Sequence, residues 1–254
     1  MTESLDNLKR LIDECSNEQR ALILEYLKSR LPQHPLEQEW GVGADIILSA
    51  ISRSSDLTKR GVRGIIAEAI FERHVLTGLR DWEASAFTGN PTYDFLIRSK
   101  SQKDRQVRIQ VKLQRMERQR PMLAPKRRFP GEDMYLVEVQ KTRGGIDLQT
   151  NEQTRPYRFG DFDILAVNMH PSTRDWNRFL FTPANWLLPR AENAALINIF
   201  QPIPLVANDC WTDRLEQCLQ WLASREQRRI FEIVEDPSPP RGEKAKSKRA
   251  KRRR

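Results

Sequence analysis

From Pro91 to Arg115 the sequence PTYDFLIRSKSQKDRQVRIQVKLQR alternates apolar and polar residues twice about a polar centre, and this constrains the fold more than any other stretch. Tyr93, Phe95 and Ile97 alternate with Asp94 and Leu96, and Val107, Ile109, Val111 and Leu113 alternate with Arg108, Gln110, Lys112 and Gln114. A period of two marks a strand, and two such runs around a polar turn predict a hairpin. Side chains switch faces at every residue, so Asp94 shares a face with Leu96, and Gln110 with Lys112. If the hairpin is symmetric about Gln102, Asp94 lies opposite Gln110, with Lys112 one step away on the same face. A carboxylate, an amide oxygen and an ammonium then converge on a patch suited to gripping a divalent cation and a phosphate.

A chain of 254 residues is long enough for one generous core, or a core plus an appendage. Its 39 % apolar and 30 % charged residues describe a soluble, rather polar protein. No apolar run approaches the ~18 residues of a membrane span, so no membrane partner is expected. The opening MTESLDNLKR is charged from the start and lacks a secretory apolar stretch, so the expected location is cytoplasmic. Cys15, Cys210 and Cys218 are scattered, without C-x-x-C spacing, which argues against a disulfide framework or a zinc site. His34, His74 and His170 are equally isolated, which weakens a zinc hydrolase or a His-based nuclease. There is no G-x-x-x-x-G-K-[ST] loop, so no nucleotide cofactor is expected.

The net charge of +9 is concentrated at one end, because residues 241–254 carry +8 of it. That tail follows Pro237, Pro239 and Pro240, has no apolar residue beyond Ala, and is expected to be disordered. It reads either as an attraction to phosphate backbones or as a solubilising terminus. At the other end, residues 4–31 read as two amphipathic helices, with Ser16 and Gln19 forming a capping box. Leucine-rich helices of this kind are usually core, and this pair reads as a structural or dimerising appendage. The expected domains are a helical appendage over 1–35, an α/β domain over 36–234, and the basic tail over 235–254.

Within the middle domain a helix carries Ile46, Ile47, Leu48 and Ile51, and another, capped by Ser55 or Asp56, is expected from Leu57 to about Leu76. Its apolar arc is Val62, Ile65, Ile66, Ala69, Ile70 and Leu76, and Glu68 and Glu72 flank that arc. Such acids are either solvated helix edges or carboxylates projecting towards the sheet. Further strands are expected at Trp82–Phe87, at Met134–Lys141 as a third strand of the sheet, at Phe162–Val167 as a central strand, and at Phe179–Thr182. Asp163 reads as a strand-end residue more than as a further site acid. A last helix is expected from about Thr212 to Phe231. The span 115–130, with Arg115, Arg118, Arg120, Lys126, Arg127 and Arg128 against Glu117, is stiffened by two internal prolines and suits DNA phosphates. Lys141 and Arg143 add further cations on the next strand and loop, and Thr154–Phe159 forms a basic and aromatic stretch that suits a second DNA contact.

Asp94 followed by Gln110-Val111-Lys112 resembles the active-site signature of the PD-(D/E)XK nuclease superfamily, with the resemblance covering about residues 60–170. The chain departs from that pattern twice: Asp94 follows Pro91-Thr92-Tyr93 rather than Pro directly, and Gln110 stands where the family more often has an acid, as in some members. The resemblance implies a restriction-endonuclease-like α/β fold, a mixed central sheet flanked by helices. It also implies a Glu on the preceding helix, for which Gly64-Ile65-Ile66-Ala67-Glu68 is the best match. On that reading Asp94, the Gln110 side-chain oxygen, the Val111 carbonyl and Glu68 hold Mg²⁺, which takes hard oxygen ligands, and Lys112 orients or deprotonates a water. The expected function is hydrolysis of phosphodiesters in double-stranded DNA, as a homodimeric type II restriction enzyme. A repair or junction-cleaving nuclease, or a non-catalytic DNA-binding protein of the same fold, remains open.

Overall fold

A computed structural model describes residues 2–31, 33–89, 91–126, 133–146 and 153–230, with side chains at all of these but 2, 3, 142–146, 153 and 154. The basic tail expected to be disordered lies outside the described residues. The chain divides into two compact units, residues 1–62 and 63–254.

The first unit is helical: α1 (Thr2–Glu14), α2 (Asn17–Arg30), α3 (Pro35–Trp40), α4 (Ala44–Arg53) and the first turns of α5 (Asp56–Ile70). The capping box forms as the sequence predicts. Ser16 Oγ accepts the Gln19 N–H at 3.3 Å, and Gln19 Oε1 accepts the Ser16 N–H at 2.9 Å. Arg20 fastens the two helices by donating to the carbonyls of Ile12 at 3.0 Å and Asp13 at 2.6 Å. His34, isolated in sequence, caps α3, its Nδ1 accepting the Leu36 N–H at 3.1 Å. The expectation that the leucines of α1 and α2 form a core does not hold. Leu5, Leu8, Leu11, Leu22 and Leu27 are all exposed, and α2 has no buried residue.

The second unit begins within α5. Its sheet strands are β1 (Trp82–Ser85), β2 (Phe95–Ser99) and β3 (Gln106–Leu113), followed by the short pair β4 (Met116–Glu117) and β5 (Arg120–Pro121). Then come β6 (Tyr135–Glu138), β7 (Gln140–Ile146), β8 (Gln153–Pro156) and β9 (Ile164–Asn168). A short helix α6 (His170–Thr173), β10 (Phe179–Pro183), β11 (Phe200–Ile203) and α7 (Leu215–Ser224) complete it. The main sheet is mixed, with order β1-β2-β3-β9-β10. All neighbours pair antiparallel except β3 and β9, which run parallel. The β2–β3 register is Phe95 to Ile109 and Ile97 to Val107, the symmetry about Gln102 that the alternation predicts.

The strand expected at Met134–Lys141 exists, but it is not part of this sheet. β6 pairs with β11 in a separate two-stranded ribbon. The place beside β3 is taken by β9, whose five residues are all buried and which outcompetes the more polar β6 for an interior position. The final helix is also shorter than expected. At its start Thr212 exchanges backbone hydrogen bonds with Phe181 of β10 (2.7 and 3.0 Å), and at its end Arg225 turns left-handed at φ 55°.

Pleating splits the core in two. Ile97, Val107, Ile109, Val111, Ile164, Ala166, Phe179 and Phe181 face the C-terminal part of α5 and α7, meeting Ala67, Phe71, Leu215 and Leu219. The opposite face, with Leu165, Val167 and Leu180, is covered by Val137, Tyr157, Phe162, Trp186 and Trp211. The buried face of α5 is rotated from the predicted arc. Ala67, and Phe71 at the start of the π-helical turn Phe71–Val75 that continues the helix, are fully buried, whereas Ile65 is 65 % exposed. Phe71 sets this rotation, its ring lying 5.1 Å from Phe95 and 5.6 Å from Phe179, and Ala67 one turn earlier permits close approach. Glu68 is thereby half-buried and Glu72 is turned out to solvent. Among the described residues no helix is long and apolar enough to cross a membrane.

Candidate active site

The site is built where β2 begins. Asp94 stands immediately before Phe95, at the threshold of the strand rather than within it. Its N–H still donates to the Ile109 carbonyl at 3.0 Å, the last backbone rung between the two strands. Its carboxylate then continues the ladder, Oδ2 accepting the Val111 N–H at 2.8 Å. The residue type follows from this: a short acceptor side chain satisfies a strand N–H that the retreating backbone no longer reaches.

Gln110 faces Asp94 as predicted and is buried, at 1 % exposure. Its Nε2 donates to Asp94 Oδ2 and, at 3.3 Å, to the Val111 carbonyl. Its Oε1 accepts the Tyr157 hydroxyl at 3.1 Å. Lys112, one pleat further along β3 and on the same face, is half-buried with Nζ 5.5 Å from the centroid of the Tyr157 ring. Lys141 brings a second ammonium to that ring at 5.6 Å and lies 3.7 Å from Asp161 Oδ2. Tyr157 is therefore the hub of the cluster, buried among groups from β3 and β7.

The charges are mutually coupled. Burial pushes Glu68 up to about 7, with the nearby Asp94 carboxylate adding to the rise and Lys112 opposing it. Burial likewise raises Asp94, against the Lys112 charge and the hydrogen bonds from Val111 and Gln110. Burial lowers the Lys112 ammonium, opposed by Asp94, Glu68 and Glu138. Tyr157 is raised by burial first and then by Asp94, Asp161 and Glu68, so its hydroxyl keeps its proton. Glu68 thus belongs to the same electrostatic group as Asp94 and Lys112, although its helix packs on the other face of the sheet.

The remaining predicted residues are distributed differently. Arg115 pairs with Glu138 at 2.5 Å, its side chain only 23 % exposed, so it faces an internal acid rather than open solvent. Lys126 is exposed and pairs with Asp133 at 3.0 Å. Arg127 and Arg128 lie outside the described residues, as does the side chain of Arg143. Asp163 is a strand-end residue, as read: it grips Arg108 through Oδ1 at 2.7 Å and Oδ2 at 3.0 Å and also accepts the Arg108 N–H at 2.8 Å. Two residues of this cluster are not identified as its members by the sequence. Tyr157 reads in the sequence only as part of the basic and aromatic stretch 154–159, a DNA contact, with nothing to mark it as a partner of Gln110. Glu138 does carry a local signal, as the single acid within the apolar run MYLVEV.

The donor set suits a hard cation. Asp94 Oδ2 and the Val111 carbonyl both direct acceptor oxygens at one point, where the partly positive Gln110 amide nitrogen stands between them. Two oxygens that share a donor of positive character are placed to share a small cation, and the Glu68 carboxylate feels the charge of Asp94. Among the described residues no group of three or more His, Cys, Asp or Glu is gathered for a metal, so any cation here relies on neutral oxygens beside the two acids.

Comparisons with protein-family models, curated proteins and solved structures gave no match to this chain.

Proposed function

We propose that this chain is a Mg²⁺-dependent endodeoxyribonuclease of the PD-(D/E)XK type, with a restriction-endonuclease-like fold. The observation that carries the reading is the meeting of Asp94, Gln110 and Lys112 on one face at the β2–β3 threshold, with the Val111 carbonyl beside them. A mixed sheet in which β3 lies between an antiparallel hairpin partner and a parallel strand supports it.

In this reading Asp94, the Val111 carbonyl, Glu68 and the Gln110 side-chain oxygen hold the cation. A bound Mg²⁺ supplies a water of lowered pKa and offsets negative charge on the scissile phosphate. Lys112 positions that water and stabilises charge that grows on the phosphate in the transition state. Burial eases loss of the Lys112 proton, and the three surrounding acids keep it available as a donor. Glu138 restrains Arg115, and Asp161 and the Tyr157 ring hold Lys141 in the same way.

The substrate is double-stranded DNA, and the favoured role is a sequence-specific type II restriction enzyme acting as a homodimer, since two-fold protein symmetry matches a symmetric cut. A catalytically silent DNA-binding module is the second reading, favoured by the Gln110 amide nitrogen standing where the cation belongs. Incubation with plasmid and Mg²⁺ separates the two. Discrete fragments support the restriction enzyme, nicking that depends on DNA structure supports a repair enzyme, and a gel shift without cleavage supports the silent module.

A further inference from the structure

We propose that Tyr157 is the positioning residue of the cation site, and that the Gln110 amide reverses its direction when a divalent cation is taken up. The inference deepens the nuclease reading and rests on it.

In the structure the amide is turned nitrogen-inward, with Nε2 towards Asp94 Oδ2 and the Val111 carbonyl and Oε1 towards the Tyr157 hydroxyl at 3.1 Å. Chemistry dictates that direction. Asp94 and Val111 present acceptors, so only an N–H group can face them, and the amide fills their shared point as a neutral plug. A cation at that point repels Nε2 and requires Oε1. A half-turn about the last side-chain torsion exchanges the two ends without moving the backbone, since that torsion is two-fold and soft.

The partner behind the amide must then tolerate either end. A hydroxyl does so, because it donates to Oε1 in one state and accepts from Nε2 in the other. At 4 % exposure Tyr157 is shielded from water that could do the same work. The two states do not depend on it equally. With the plug inward, Nε2 has two protein acceptors and only Oε1 relies on Tyr157. With the oxygen inward, the amide N–H groups rely on the Tyr157 oxygen. A buried N–H without a partner is worse tolerated than an under-satisfied carbonyl, so Tyr157 favours the cation-bound state.

The test is a two-by-two set of calorimetric Mg²⁺ and Mn²⁺ titrations, without DNA, on the wild type, Tyr157→Phe, Gln110→Glu and the double variant. Tyr157→Phe is expected to weaken cation binding roughly five- to ten-fold when Gln110 is intact, the scale of one lost buried hydrogen bond. In the Gln110→Glu background the loss is expected to fall below about two-fold, because a carboxylate presents an oxygen in either direction and has nothing to reverse. An equal loss in both backgrounds, or none with Gln110 intact, overturns the proposal while leaving the cation site in place. Failure of every variant to bind either metal removes the nuclease reading and this inference together. Should Tyr157→Phe not fold, side-chain amide resonances of Gln110 in the wild type decide it: they must shift as Mg²⁺ binds, and unchanged resonances in a protein that binds Mg²⁺ overturn the reversal.

Discussion

Asp94 replaces a missing rung of the β2–β3 ladder, its Oδ2 holding the Val111 N–H at 2.8 Å where the backbone of β2 has turned away. The side chain is therefore structural before it is chemical. Removing it leaves a strand N–H without its partner, so Asp94→Ala is expected to destabilise the fold by about 1–3 kcal/mol. Asp94→Asn keeps an acceptor for Val111 and should cost under about 1 kcal/mol, yet it removes the charge a cation needs. Thermal melting and metal titration on the two variants check this. Asn folding like the wild type but failing to bind Mg²⁺ is the expected pattern.

Glu68 provides a pH signature that does not depend on any ligand. Its folded pKa is raised to about 7, above the 4.5 of an ordinary glutamate. Below pH 4.5 both folded and unfolded forms are protonated and nothing is lost. As pH rises from 4.5 to about 7 the unfolded chain releases its proton first, so stability falls, and above 7 the penalty is complete. Glu68→Gln is therefore expected to raise the melting temperature at pH 8 in EDTA and to leave it unchanged near pH 4.5. Equal effects at the two pH values would show that Glu68 is not burdened by burial and the Asp94 charge.

Asp163 tests whether every acid near the sheet belongs to the site. Its carboxylate is fully engaged by the Arg108 guanidinium and N–H. Asp163→Ala should cost about 2 kcal/mol of stability, as expected for hydrogen bonds to charged groups, and leave Mg²⁺ affinity as in the wild type. A loss of metal binding without loss of stability would move Asp163 into the site.

Much of this arrangement was legible because strand alternation is a short-range code. Facing and register at Asp94, Gln110 and Lys112 follow from pleating and a symmetric turn alone, and the Ser16 capping box from four consecutive positions. What failed depended on competition between distant segments. The rotation of α5 is set by Phe71 meeting Phe95 and Phe179, contacts invisible to a helical wheel that counted Ile65 and Ile66 as equals. The place beside β3 went to β9 because five consecutive buried residues outcompete β6, a comparison local patterning does not make. Tyr157 reaches Gln110 across a sequence separation of 47 residues, with no motif to announce it.

Gln110→Glu adds a negative charge where two oxygens already converge, and its partner Tyr157 remains able to donate to a carboxylate. Mg²⁺ affinity is expected to rise roughly ten-fold or more, the scale of one added charge partner at a partly buried site. Calorimetric titration measures it directly, and unchanged affinity would remove Gln110 from the ligand set.

Plasmid cleavage in Mg²⁺ by the wild type beside Lys112→Ala, each paired with a DNA gel shift in Ca²⁺, is the most direct measurement. The account predicts cutting by the wild type, none by Lys112→Ala, and comparable DNA retention by both. Normal cutting by Lys112→Ala, or DNA binding by the wild type with no cleavage in Mg²⁺ or Mn²⁺, would contradict it.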